Sequence, residues 1–295
     1  MKYGLPYKGS KNAIAKWIIN SLPCADTFCD LFAGGGAVTH AALLSGKYQR
    51  FIMNDIDARL PELFMECVRG QHTIEKHTEW ISREKFHARK NEDAYIALVW
   101  SFGNNGKDYI YGANIEEYKH AYHIAVFKDR PELLKPYGYE IISTHKEEPY
   151  ERYLEFNRQI KQIKRNDLEC LQRLECLQRL ERLQRLERLQ RLERHGTDYQ
   201  NILIPEGALI YCDIPYRGTN CGKYAGFDHE RFYEWAEKQD NIFISEYTMP
   251  EAFIPYACRE KTVLSASNGT NGKAKEIIFT NRRTYDNLTE QLSLF

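Results

Sequence analysis

Two short runs in this chain hold residue types that could do chemistry together. The first is Asp30-Leu31-Phe32-Ala33-Gly34-Gly35-Gly36-Ala37, near the start. The second is Asp213-Ile214-Pro215-Tyr216, well past the middle. Glycine lets a backbone turn tightly and approach a ligand closely, so the first run suits a nucleoside-type cofactor. The second offers a carboxylate, a backbone carbonyl and an aromatic face, with Pro215 stiffening the turn. That set suits a flat, amine-bearing ring. Such an amine is a poor nucleophile, because its lone pair is delocalised into the ring. Acceptors on both of its N–H groups favour a more tetrahedral nitrogen. A stacked ring then holds it in line with its reaction partner, and such positioning can supply much of a rate enhancement.

Both runs need a scaffold. Ala25 to Phe32 reads as a buried strand that carries an acid near its end, and Ala37 to Leu44 has helical composition. Strand, glycine turn and helix make the first βα unit of a doubly wound α/β fold. The next apolar strand, Phe51-Ile52-Met53-Asn54, ends at Asp55. An acid about 20 residues after the glycine turn is placed to accept hydrogen bonds from ribose hydroxyls. The G-x-G-x-x-G spacing of dinucleotide enzymes is absent, which argues against hydride transfer. Gly207 to Cys212 is another buried strand, and Asp213 sits at its carboxyl end, where open α/β sheets bind ligands. Each run also has a plain reading: a tight turn for the first, and a strand-end turn with a solvated Asp and a packed Tyr for the second. Phe227 to Ala236 reads as a helix with Asp228 as its N-cap. Asn241 to Ser245 reads as a strand, and Asn268 to Gly272 as a hairpin-type turn before a final antiparallel strand.

At 295 residues the chain has room for one catalytic domain and a smaller lobe, and 43% hydrophobic content supports a substantial core. No run of about 18 apolar residues occurs, so no membrane span is expected. Met1-Lys2-Tyr3-Gly4 leads straight into the lysine-bearing segment, so no secretory signal is expected. The eight cysteines form no C-x-x-C pair, so neither a zinc cage nor a disulfide scaffold is indicated. Formal net charge is zero, so a surface for a polyanion would need local clustering rather than bulk charge.

Glu92 to Trp100 reads as a helix. After it, Tyr109, Tyr111, Tyr118, His120 and Tyr122 are interleaved with Lys107, Lys119, Lys128 and Arg130. That mix suits phosphate contacts and base stacking, and equally suits a helical lobe with a wet surface. From Leu168 to Arg194 the chain repeats Leu-Gln-Arg-Leu-Glu-Arg, with Cys170 and Cys176 replacing two arginines. Leucines three apart slip about 60° per step around an α-helix, so no single apolar stripe is written. These residue types favour helix, and Glu175 with Arg179, or Glu181 with Arg185, stand at i,i+4. The segment therefore reads as a partly exposed helical spacer; an arginine-rich arm that touches nucleic acid or a partner is the other reading.

The order of these motifs resembles the Dam-like, D12-class family of adenine-N6 DNA methyltransferases in the α arrangement. That family has a D-L-F-x-G-G-G-A cofactor loop, a lysine-bearing segment before it and a D-P-P-Y tetrad after it. Tyr7-Lys8-Gly9-Ser10-Lys11 is similar to the lysine-bearing segment. Ile244 to Pro250 is similar to an S-x-Y-x-x-P element, and Glu276 to Asn281 to the final strand. The resemblance covers roughly 1–115 and 200–285. It implies a Rossmann-like S-adenosylmethionine-dependent methyltransferase sheet, with a smaller helical target-recognition lobe and an inserted helical repeat. It implies a catalytic domain over 1–75 and 200–290, the recognition lobe over 76–160 and the repeat over 161–196. S-adenosylmethionine would meet Tyr7, Lys11, Asp30, Phe32, Ala33, Gly34, Gly35, Asp55 and Asp213. Asp213, Ile214, Pro215 and Tyr216 would take an adenine flipped out of double-stranded DNA, and the polar run Arg217 to Tyr224 would close over it. No metal is called for. A cytoplasmic enzyme of bacterial or phage origin, with a companion restriction enzyme, fits the same picture.

Two positions depart from the family pattern. Ile214 stands where the family has Pro; it keeps the backbone carbonyl and loses the fixed φ, so activity is expected to survive. Trp100 to Lys107 resembles the family's N-G element only loosely, so a GATC target is not implied. Methylation of RNA or of a protein amide is the runner-up, because the tetrad reads only a planar amine. An inactive DNA-binding relative is the alternative from another class. A cytosine-C5 enzyme is disfavoured, because Pro23-Cys24 precedes the glycine loop instead of following it.

Overall fold

A computed structural model describes residues 2–163, 172–185, 191–217, 226–264 and 271–293. The chain forms two compact units, Lys11–Pro61 with Glu187–Phe295, and Lys2–Ser10 with Glu62–Leu186.

The first unit is built on a seven-stranded sheet of order β3-β2-β1-β4-β5-β7-β6. Its strands are β1 (Thr27–Asp30), β2 (Arg50–Asn54), β3 (Leu192–His195), β4 (Leu209–Cys212), β5 (Ile242–Glu246), β6 (Phe253–Leu264) and β7 (Asn271–Asn281). β1 to β5 pair in parallel, while β7 runs antiparallel to both β5 and β6. β1, β4 and β5 are buried at every position, which is why they read as short continuous apolar runs rather than alternating ones. In the pairing register, Asp30 lies opposite Met53 on one side and Tyr211 on the other. The carboxyl ends of β1, β2 and β4 are therefore level, and Asp30, Asp55 and Asp213 emerge along one edge.

Helix α1 (Ala15–Ser21) precedes β1, α2 (Ala37–Ser45) joins β1 to β2, α9 (His229–Ala236) joins β4 to β5, and α10 (Arg282–Ser293) follows β7. α2 is buried from Ala37 through Leu43. It starts at Gly36, whose φ of 66° favours glycine. Asp228 caps α9 by accepting the Arg231 N–H at 3.0 Å.

The second unit is inserted in the chain between β2 and β3. It holds most of α3 (Arg59–Val68), then α4 (Arg83–Arg89), α5 (Ala94–Val99), α6 (Glu116–Lys128), α7 (Pro149–Ile163) and α8 (Gln172–Glu181). Asp93 caps α5 through the Ile96 N–H at 2.9 Å, in line with the helix read over 92–100. Trp100, Phe86, Tyr153 and Phe156 are fully buried, and of the interleaved aromatic residues Tyr109, Tyr111 and Tyr122 are buried with them, so these three belong to the core of this unit rather than to a wet surface.

The repeat differs most from its reading. Its described residues form a helix, a 3-10 turn and a strand rather than one helix, and their leucines are buried. Within α8 and the 3-10 turn Arg182–Arg185, Leu174, Leu177 and Leu180 are 0% exposed and Leu183 is 1% exposed. Four leucines three apart cover half the circumference of a helix, and this helix is packed across that half. The 3-10 turn has about three residues per turn, matching the repeat period. Arg173 is also fully buried. It donates to His123 Nδ1 at 2.5 Å and to the His77 carbonyl at 3.0 Å, and lies over the Trp100 ring at 4.6 Å. Burial and this guanidinium push His123 down to about 2. The imidazole is neutral, with Nε2–H donating to the Thr78 carbonyl at 2.8 Å and Nδ1 left as acceptor. Glu181 accepts the Ile74 N–H at 2.6 Å, and Arg179 donates to the Gly4 carbonyl at 2.7 Å. The last copy turns into a strand: Leu192 to His195 is β3, in register with Phe51 to Asn54. Gly196 then lets the chain pass Ala58 so closely that an added Cβ would stand 2.2 Å from the alanine Cβ. Residues 164–171 and 186–190 of the repeat, and Gly218 to Tyr224 of the loop after the tetrad, lie outside the described residues.

Candidate active site

The glycine turn sits at the carboxyl ends of β1 and β2. Ala33 N–H donates to the Asn54 carbonyl at 2.9 Å, and Gly36 N–H to the Ala33 carbonyl at 2.7 Å. Gly34 has φ of 50°, and its N–H donates to Asp55 Oδ2 at 2.7 Å. The other Asp55 oxygen accepts the Asp57 N–H at 2.9 Å. Asn54 donates to the Leu31 and Thr197 carbonyls, both at 3.0 Å, tying the ends of β1, β2 and β3 together. Phe32 packs on Tyr199, Phe227 and Phe232. Ile56, between two acids, is 60% exposed. Sequence reasoning gave it no role, although an apolar residue set directly after the strand-end acid was a usable signal.

Asp30 is directed elsewhere. Its Oδ2 accepts the Thr39 hydroxyl at 2.6 Å and the Thr39 N–H at 3.2 Å, which locks the first turn of α2 onto β1. Burial raises its carboxyl to about 7, against the pull of the Thr39 bonds. Gly35 is buried beneath the turn, while Phe32, Ala33 and Gly34 are half-buried.

At the end of β4 a second cluster forms. Lys11 Nζ lies 2.8 Å from Asp213 Oδ1 and 3.4 Å from Glu276 Oε1, and 4.4 Å from the Tyr216 ring centroid. The Tyr216 hydroxyl donates to Glu276 Oε1 at 2.5 Å. Burial opposes charge on Lys11, but the Asp213 and Glu276 carboxylates outweigh it and hold the ammonium above its ordinary value. Burial, then Asp213 and Glu276, push the Tyr216 hydroxyl far up, so it is a neutral donor. The backbone of the tetrad is pinned from below. His229 Nε2 meets the Pro215 carbonyl at 2.8 Å. Glu246, 1% exposed, accepts the Arg217 N–H at 3.1 Å and the Tyr247 N–H at 2.7 Å. These bonds hold the turn that Pro would stiffen at position 214. Ile214 itself is 2% exposed and packs into the core beside Ile244 and Phe253. Tyr247 meets Tyr216 edge-on at 4.6 Å.

The first unit thus brings together Lys11, Asp213 and Tyr216, and separately Phe32, Ala33, Gly34 and Asp55 around the glycine turn. Tyr7 belongs to the 2–10 segment of the second unit, where its carbonyl accepts the Ser10 N–H at 3.2 Å. Glu276, Glu246 and His229 were not singled out from sequence. They act through folding of distant segments, and nothing local marks them. Among the described residues no cluster of His, Cys, Asp and Glu is arranged to hold a metal ion, and no helix is long and apolar enough to cross a membrane.

No individual curated protein matches this chain. The family model of the D12 class N6 adenine-specific DNA methyltransferases matches residues 7–249, which include the glycine turn, the strand-end acid and the tetrad, and the chain belongs to that family.

Proposed function

We propose that this chain transfers the methyl group of S-adenosylmethionine to N6 of adenine at a defined sequence in double-stranded DNA. Adenine N6 methylation of DNA is the family's activity; the donor and the sequence specificity are the reading added here. The observation that carries it is the cluster of Asp213, Tyr216 and Lys11 on the same sheet edge as the glycine turn and Asp55.

The residues at the glycine turn fit the donor. Asp55 offers carboxylate oxygens for ribose hydroxyls, Ile56 offers an exposed apolar face for the adenine moiety, and Gly34 lets the backbone come close. Asp30 supports the turn from beneath through Thr39. When bound, S-adenosylmethionine supplies an electrophilic methyl group on a sulfonium.

The tetrad then handles the acceptor. Asp213 accepts one N–H of the target amine and the Ile214 carbonyl accepts the other. Tyr216 gives the base a stacking face whose orientation is set through its hydroxyl. As the nitrogen attacks it gains positive charge, and the adjacent Asp213 carboxylate stabilises that charge in a partly desolvated site. A base inside a duplex cannot be reached, so the target is flipped out at a cost of roughly a few kcal/mol. Residues 76–160 are assigned to target recognition. The test compares wild type with Asp213→Ala on unmethylated duplex DNA with tritiated S-adenosylmethionine. Folded Asp213→Ala is expected to lose turnover by roughly two to three orders of magnitude; turnover near wild type removes the tetrad from the mechanism.

A further inference from the structure

Lys11 is shared unequally by two carboxylates, 2.8 Å from Asp213 and 3.4 Å from Glu276. It also stands over the Tyr216 ring at 4.4 Å. An ammonium that donates to Asp213 while lying on Tyr216 makes the same two contacts that the target amine and its ring require. Lys11 and the base therefore compete for one place. The two carboxylates differ in access: the Asp213 side chain is 21% exposed and that of Glu276 is 1% exposed. An incoming base can reach the outer carboxylate, and only residues of the chain reach the inner one. Glu276 also accepts the Tyr216 hydroxyl at 2.5 Å, so it touches both groups that frame the base site.

We propose that Glu276 is a positioning residue that draws the Lys11 ammonium off Asp213 when the target amine arrives, while fixing the Tyr216 ring through its hydroxyl. The proposal rests on the N6-transfer reading above. Without the Glu276 charge, Lys11 stays on Asp213 and blocks capture of the amine.

Glu276→Gln removes the charge and keeps both the shape and an oxygen acceptor for Tyr216. The experiment measures kcat and KM for unmethylated plasmid DNA at saturating tritiated S-adenosylmethionine, with calorimetric Kd for S-adenosylmethionine alongside. Glu276→Gln is expected to lower kcat/KM for DNA roughly 10- to 100-fold, with Kd for S-adenosylmethionine changed less than about 3-fold. Adding Lys11→Met to Glu276→Gln is expected to return kcat/KM to the value of Lys11→Met alone, because the blocking group is gone. Two residues that act independently would instead multiply their losses, and that result overturns the proposal. If Glu276→Gln does not fold, Lys11→Met alone decides: its KM for DNA is expected not to rise, and a rise of about tenfold overturns the exchange. An active wild type with an unimpaired Glu276→Gln refutes this proposal alone. An inactive wild type removes the parent reading and this proposal with it.

Discussion

Leu177→Ala tests whether the hexad repeat is a packed element of the second unit. Leu177 is 0% exposed, flanked on α8 by Leu174 and Leu180 at 0%, and the neighbouring Arg173 is pinned to His77 and His123. Truncation deletes three buried carbons in a place where these fixed neighbours limit collapse. Leucine-to-alanine changes in such cores cost about 2.7–5 kcal/mol, and about 3 kcal/mol is expected here. For a chain of this size roughly 2–4 °C of melting temperature accompanies each kcal/mol, so the transition should fall by about 6–12 °C. Thermal denaturation followed by circular dichroism reads this, with urea unfolding as a check. Glu175→Ala, exposed on the same helix, is the control and is expected to stay within about 0.5 kcal/mol. If Leu177→Ala behaves like the control, α8 is not packed and the spacer reading returns.

Three further outcomes follow from the same geometry. Asp55→Ala is expected to weaken S-adenosylmethionine binding by roughly 1–3 kcal/mol through loss of charge-assisted bonds; calorimetry on folded protein that shows unchanged affinity removes that acid from the site. Asp30, raised to about 7 by burial, holds its proton more tightly in the folded than in the unfolded chain. Its contribution to stability is therefore full below about pH 4 and is lost as pH rises to about 7. Asp30→Asn is expected to flatten that slope in urea unfolding at pH 5 and pH 8, and an unchanged slope assigns it to other groups. Replacing the target adenine with 2-aminopurine is expected to raise fluorescence on binding; no rise, with binding shown independently, counts against flipping.

What the sequence showed and what it hid have a common physical cause. The glycine turn, the acids ending β2 and β4, and helix α5 were legible because each is written locally, as an apolar run closed by an acid or a cap. The repeat was not, because its pattern is degenerate. The same Leu-Glu-Arg triad closes a helix at 180–182 and makes strand β3 at 192–194. Propensity is identical in both copies, so burial of Leu180 with the Glu181 bond to the Ile74 N–H, or pairing with β2, decides. Glu276 was read as part of a final strand, but its pairing with Lys11 spans most of the chain and its bond to Tyr216 bridges 60 residues. Asp30 was assigned to the ligand because it begins the cofactor-loop motif; its bonds to Thr39 emerge only once α2 docks on β1.

The most direct measurement is analysis of the labelled nucleoside. Purified protein is incubated with tritiated S-adenosylmethionine and separate samples of unmethylated duplex DNA, RNA and protein, and the labelled product is hydrolysed and identified. The account predicts label in duplex DNA, recovered as N6-methyladenine. Label confined to RNA or protein, label on cytosine, or no transfer by the folded protein would contradict it.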